Sequence, residues 1–245
     1  MKNIKNKTAY ILFPILIILI FITINRNKVY RTGESLWHDI FLKNREKPRI
    51  VYNYANYLVR NNEMKKGKEV IKNLKDNDYR KYLILSMITY RQKEFEKAAY
   101  FAKKSLEYKS NYDGYIMLGE YFFRINRIEE LGRVIEKLKD FHYEETRYKV
   151  LKAKYYLVKG KAKLALNSLK GAVGEEALFY EGLSYQKLGE LEKAKKIYLK
   201  VKTIPTAMVN YALIIYTEGE KEKAIKILEK INDSQSRDLL KKIKR

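Results

Sequence analysis

Only two side chains in this sequence, His38 and His142, have the imidazole used for metal ligation or proton shuttling near neutral pH, and there is no cysteine for a thiolate site. The two histidines stand far apart in sequence, each without a second histidine nearby. A zinc site needs about four convergent ligands. Each therefore reads as a surface or half-buried helix residue. Acid–base hydrolysis needs two carboxylates facing one substrate, and Glu129-Glu130, Glu144-Glu145 and Glu175-Glu176 supply adjacent acids. Neighbours on a helix point roughly a hundred degrees apart, so these pairs read as solvated faces. Neither G-x-x-x-x-G-K-[ST] nor G-x-G-x-x-G occurs, so no common phosphate-cradling loop is present. No serine or threonine stands out beside a base. The sequence predicts no catalytic residue, no metal site and no cofactor: this is not an enzyme.

What remains is binding. The formal charge is +23, from 52 Lys and Arg against 29 Asp and Glu. Residues 1–31 hold six basic residues and no acid, so the remainder still carries +17 (46 basic, 29 acidic). The excess is spread along the chain, with one small cluster at Lys241-Lys242-Ile243-Lys244-Arg245. Two explanations compete. Lys, Ile, Asn and Tyr are all abundant, as in proteins of AT-rich genomes, and composition alone then fills solvated faces with lysine. The alternative is attraction to anionic lipid, an envelope polymer, an acidic protein tail or nucleic acid. Nucleic acid ranks lowest, because the basic and aromatic residues are spread with the repeat described below.

Residues 8–24 read TAYILFPILIILIFITI, seventeen uncharged and mostly apolar residues. At about 1.5 Å per residue they span about 26 Å, enough for a thin hydrocarbon core. Pro14 is tolerable in a lipid-embedded helix. The exit, Asn25-Arg26-Asn27-Lys28, lacks the small-residue pair of a signal-peptide cleavage site, so an uncleaved single-pass membrane anchor is expected. Lys2, Lys5 and Lys7 precede the segment and Arg26, Lys28 and Arg31 follow it, which leaves the positive-inside rule nearly silent. A very short basic N-terminus before one apolar segment acts as a signal anchor, which places the long remainder on the extracytoplasmic side.

That remainder is periodic. A small residue followed twelve positions later by another recurs six times: Ala55/Gly67, Ser86/Ala98, Gly119/Leu131, Ala153/Ala165, Gly182/Ala194 and Ala212/Ala224, with Leu131 the one large member. Successive pairs start 31, 33, 34, 29 and 30 residues apart. Such a period predicts stacked helical hairpins rather than a closed globule. Seven residues past each first small residue stand Asn62, Lys93, Asn126, Gly160, Gly189 and Gly219. Five of the six are residue types that accept the left-handed conformation ending a helix, so this position is the turn. The small pairs then let two antiparallel helices approach closely. Four past the second small residue come Ile71, Ala102, Ile135, Leu169, Tyr198 and Leu228, placed to meet the next hairpin.

This pattern resembles the tetratricopeptide repeat, most sharply in YIMLGEYFF (Leu118, Gly119, Phe122), KEFEKAAYFAKKSL and GLSYQKLGELEKAKKIY. The resemblance covers residues 48–232 and implies an all-α, right-handed superhelical stack of antiparallel hairpins, a tetratricopeptide-like α-solenoid, behind one N-terminal transmembrane helix. Upstream, Gly33, Trp37 and Ile40 fall where a second repeat helix places its small, large and packing residues, and Pro48 opens the next helix at a position where proline costs nothing. The stretch SLWHDIFLKN…PRIVYNYANYL is similar to the start of repeat arrays that follow the membrane portion of some glycan-transferring membrane proteins. That suggests an envelope or glycan-assembly setting without the reaction. The organisation expected is a basic tail (1–7), an anchor (8–24), a linker with a half-repeat helix (25–47), about six repeats (48–232) and a basic capping segment (233–245).

In the tetratricopeptide family the first helices line the concave side. The resemblance therefore implies a partner-binding groove of Tyr52, Asn56 and Arg60, then Met87 and Arg91, then Glu120, Phe123 and Arg124, then Lys154, Leu183, Lys187 and Tyr216. Members that grip a terminal carboxylate use a basic residue with an Asn four positions later. Asn56 matches, but Tyr52 stands where the basic residue belongs. The function expected is a non-catalytic, membrane-anchored scaffold binding a peptide or helix of another envelope protein. The alternative is an accessory subunit of envelope glycan or polymer assembly that binds anionic polymer or lipid through basic faces.

Overall fold

The computed structural model describes residues 2–141, 145–231 and 234–244. Among them are fifteen α-helices and no strand. α1 (Lys2–Val29) is followed by α2 (Gly33–Lys43), then by six helix pairs. These are α3 (Pro48–Arg60) with α4 (Met64–Val70), α5 (Tyr79–Arg91) with α6 (Phe95–Tyr108), and α7 (Tyr112–Arg124) with α8 (Ile128–Lys139). Then come α9 (Thr146–Val158) with α10 (Ala162–Ser168), α11 (Glu175–Lys187) with α12 (Leu191–Tyr198), and α13 (Pro205–Thr217) with α14 (Lys221–Glu229). α15 (Ser234–Lys244) packs on α14 and α13. The chain divides into two compact units, residues 1–110 and 111–245.

The six turns are built alike. Asn62, Lys93, Asn126, Gly160, Gly189 and Gly219 all have positive φ, between +58° and +93°. In each, the next residue's N–H reaches back five positions to a first-helix carbonyl: Glu63 to Leu58, Glu94 to Thr89, Arg127 to Phe122, Lys161 to Tyr156, Glu190 to Tyr185 and Glu220 to Ile215, at 2.8–3.0 Å. This is the Schellman arrangement, which uses otherwise orphaned carbonyls to end a helix. Lys93 is the exception in residue type, held at φ +63° without the freedom of glycine. Lys93→Gly is accordingly expected to stabilise the unit 1–110 by about 0.5–1 kcal/mol. A rise of a few degrees in Tm would report it, and a fall would mean that contacts of the lysine side chain outweigh the backbone strain.

Packing follows the small residues. All twelve positions of the six pairs are buried, and Ser86 Oγ donates to the Ala98 carbonyl at 2.8 Å, tying α5 to α6 across the pair. The six positions expected to meet the next hairpin, Ile71 through Leu228, are buried as well. In the unit 1–110, α2 lies on α3, and Trp37 packs against a core that includes Phe41, Val51, Leu58 and Ile84. Thr32 caps α2 reciprocally with Ser35, and Pro48 occupies the first turn of α3. At the other end, Ile243 of α15 is buried in a cluster with Val209, Ile215 and Leu228, covering the last hairpin. α1 differs in kind. Its stretch Leu12–Val29 is long and apolar enough to cross a membrane, and none of that stretch is buried against the rest of the chain.

Candidate protein-interaction face

The expected groove residues lie on the six first helices, each thirteen residues long. In the unit 1–110, α3 and α5 are adjacent. Tyr52 and Met87 are half-buried against its core. Arg60 and Arg91 end α3 and α5 at equivalent positions, both exposed and neither within ion-pair distance of a carboxylate among the described residues. Asn56 Oδ1, on α3, is shut off from solvent and accepts no hydrogen bond among the described residues. A buried polar atom left so costs about 1–3 kcal/mol.

In the unit 111–245 the structure brings three of the expected residues together and changes the role of one. Lys154, on α9, was expected as a groove cation. Its side chain is only 3% exposed and is consumed internally. Lys154 Nζ donates to both carboxylate oxygens of Glu120 on α7, at 2.8 and 2.7 Å, and pairs with Glu176 on α11 at 2.8 Å. It also lies 5.5 Å from the centre of the Phe123 ring and 5.2 Å from that of Tyr180. Burial pushes the ammonium down, but Glu120, Tyr180 and Glu176 together outweigh it and hold Lys154 above the ordinary lysine range. A buried cation persists only when paired in this way. Lys154 is thus unavailable to a partner; Glu120, Phe123, Glu176 and Tyr180 form the surface around it.

Glu176 and Tyr180 were missed in the sequence because Glu176 sits beside Glu175, a pair that reads as a solvated face. The two point apart as helical neighbours must. Glu175 accepts from the Thr203 N–H at 2.5 Å and from its hydroxyl, whereas Glu176 turns to Lys154. The signal available was charge at the repeat spacing: Glu120 and Lys154 are 34 residues apart, as are Asp113 and Arg147, which pair at 2.6 Å. Leu183 and Tyr216 are half-buried, and Arg124 and Lys187 are exposed. Of the two histidines, His38 lies 6.0 Å from the Tyr54 ring, centre to centre. His142 and Glu144 fall outside the described residues. No group of three or more His, Cys, Asp or Glu among the described residues could hold a metal ion.

With this geometry in place, comparison with known proteins is specific about fold. The model of the tetratricopeptide repeat family matches residues 176–204, which span α11 and α12. No curated protein sequence matches. Among solved structures, a chain of the APC/C hetero-tetramer Cut9–Hcn1 is similar with a TM-score of 0.73 and 15% identity, over 89% of this chain and 46% of that one. The chain thus spans about half the length of that relative. PilW, a type IV pilus biogenesis factor, gives 0.62 and 15% over 78% of this chain and 97% of its own. A tetratricopeptide protein of Thermus thermophilus, TTC0263, gives 0.60 and 16% over 67% and 98%. At these identities the likeness is one of fold: an all-α, tetratricopeptide-like repeat.

Proposed function

We propose that this tetratricopeptide-type chain is a non-catalytic scaffold, anchored in a membrane by α1, that holds a segment of another envelope protein against its first helices. The observation that carries the reading is the face shared by α3 and α5. There Arg60 and Arg91 stand exposed, with no carboxylate at ion-pair distance among the described residues, on the helices that also carry the half-buried Tyr52 and Met87. Arginine and tyrosine dominate binding hot spots because each joins a large contact area to a directional polar group. One structurally similar chain comes from a hetero-tetrameric assembly, which agrees with a role in holding other proteins. The unburied apolar length of α1 supports the anchor, and confinement to a surface raises the local concentration of the domain. The extracytoplasmic side remains the side we propose for the repeats.

The test is co-purification from the native host after light crosslinking, with Arg60→Glu/Arg91→Glu alongside the natural chain. A protein partner recovered with the natural chain should fall about tenfold or more with the variant. Recovery of lipid or acidic polymer alone, unchanged by the variant, would favour the second reading, that of an accessory subunit of envelope polymer assembly. The net charge of +23 supports that reading. Salt separates the two, since diffuse attraction to a polyanion falls steeply with ionic strength and a hot-spot contact weakens only modestly.

A further inference from the structure

A groove of about 610 Å³ lies between α8 and α9, in the range of pockets that take small ligands or short peptide segments. Glu129, Gly132, Arg133, Glu136 and Lys139 line it from one side of α8, at the three- and four-residue steps of a single helix face. Its floor depends on Gly132. A Cβ there would come within 3.3 Å of Tyr155 Cε2, so the Tyr155 ring lies almost on the α8 backbone. Glycine within a helix costs about 1 kcal/mol relative to alanine; here it opens a surface of two adjacent rings, Tyr155 and Tyr156, with centres 5.5 Å apart.

The charges are unevenly spent. Glu136 pairs with Lys139 and Glu129 with Lys159, each at 2.6 Å. Arg133 and Lys152 line the same groove with no carboxylate at ion-pair distance among the described residues, and Lys152 Nζ lies 5.1 Å from the Tyr148 ring centre. Two cations outside any close ion pair thus stand beside aromatic surface, with paired carboxylates near them; Glu130, one turn back along α8 and itself paired with Arg127, also feels the charge of Arg133. A continuous polyanion would run against Glu129 and Glu136. A short segment of alternating acidic and apolar side chains would not: its acids meet Arg133 and Lys152 while its apolar groups cover Tyr155 and Tyr156. From Glu129 to Lys139 the α8 wall runs about 15 Å, the length of four or five extended residues.

We propose that the α8–α9 groove is a second docking site, built from residues other than those of the α3 and α5 face, for a short acidic peptide segment of a protein partner. The test titrates a fluorescein-labelled acetyl-Glu-Leu-Glu-Leu-Glu peptide, and its Gln-Leu-Gln-Leu-Gln counterpart, into the full chain in mild detergent and reads anisotropy. The acidic peptide should bind saturably and the glutamine peptide at least tenfold more weakly. Arg133→Glu/Lys152→Glu should lower affinity for the acidic peptide by about tenfold or more. Both substituted side chains lie at the groove surface, and a preserved helical circular-dichroism spectrum checks the fold. Lys163→Glu/Lys170→Glu, the same change of charge at exposed lysines outside the groove, should leave binding unchanged, which separates the site from a general effect of net charge. Binding that survives Arg133→Glu/Lys152→Glu, or no saturable binding of the acidic peptide, overturns the site. A galacturonate oligomer that binds in an Arg133- and Lys152-dependent manner where the peptide does not would overturn the peptide assignment.

Discussion

Lys154→Met is expected to destabilise the unit 111–245 by about 3 kcal/mol, the lower end of the cost of breaking a buried ion pair by removing one partner. The lower end applies because the two carboxylates left behind differ in exposure. Glu176 is 58% exposed and can return to water, whereas Glu120 is 20% exposed and loses its partner in a largely desolvated position. Methionine roughly fills the volume and keeps contact with Phe123 and Tyr180, so little of the loss is cavity. Chemical unfolding of the purified chain, with Glu120→Gln/Lys154→Met as a second variant, separates the terms. Neutralising Glu120 should recover a large part of the loss, because an uncharged amide is cheaper to leave half-buried than a carboxylate. A loss below about 0.5 kcal/mol in the single variant would place Lys154 with ordinary surface pairs.

The same side chain sets a pH signature. Its pKa is raised in the folded state, so its stabilisation is fully present below the unfolded lysine value of about 10.4 and is lost as pH rises through the folded value. The stability gap between the natural chain and Lys154→Met should therefore be flat from pH 7 to about 10 and narrow above it. A gap that already shrinks between pH 8 and 9 would mean that Lys154 titrates as a buried, poorly paired lysine does. Beyond stability, the triad ties α7, α9 and α11 together, so its loss should disturb the surface formed by Phe123 and Tyr180.

This residue also marks the limit of what the sequence could disclose. Periodicity reported the recurring features set by local backbone chemistry and steric fit: the turn at Asn62 and its five counterparts and the buried small pairs; residue type reported the proline that opens α3. Those features depend on residue type at a fixed offset, and the offset repeats. Lys154 has the same offset as Asn56, Met87, Glu120 and Leu183, yet it alone among them is buried, because only there do carboxylates from both neighbouring hairpins converge. A position within one repeat cannot reveal charges brought in by the repeats on either side. The division between residues 110 and 111 was hidden for a related reason, since the repeat spacing runs through it without a break. The α8–α9 groove was hidden because Gly132 lies outside the periodic small pairs.

Gly182 gives the sharpest test of whether those small pairs are required or merely tolerated, because two opposing effects decide the sign. Helix propensity favours Gly182→Ala by about 1 kcal/mol. Against it, the new Cβ would lie 2.7 Å from Tyr198 Cε1 and 2.9 Å from Cδ1. Tyr198 is fully buried and cannot easily step aside: its hydroxyl donates to Gln186 Oε1 at 2.7 Å and accepts from Asn210 Nδ2 at 3.3 Å, which pins the ring between α11 and α13. Overpacking a fixed ring costs about 1–3 kcal/mol, so Gly182→Ala should destabilise by roughly 1 kcal/mol net. Tyr198→Ala should cost about 3–5 kcal/mol through its cavity and lost ring contacts. In that background the same Gly182→Ala should become stabilising by about 1 kcal/mol, since the clash is gone and the propensity gain remains. If Tyr198→Ala does not fold, Tyr198→Val, which lacks both the Cδ1 and Cε1 positions that meet the new Cβ, serves the same cycle. A Gly182→Ala effect of equal sign in both backgrounds would show that the ring yields and that close helix approach at this pair is not what fixes the hairpin. A reversal would tie the twelve-residue spacing of small residues to a single physical cause, the lack of room for a β-carbon opposite a residue held from both neighbouring first helices.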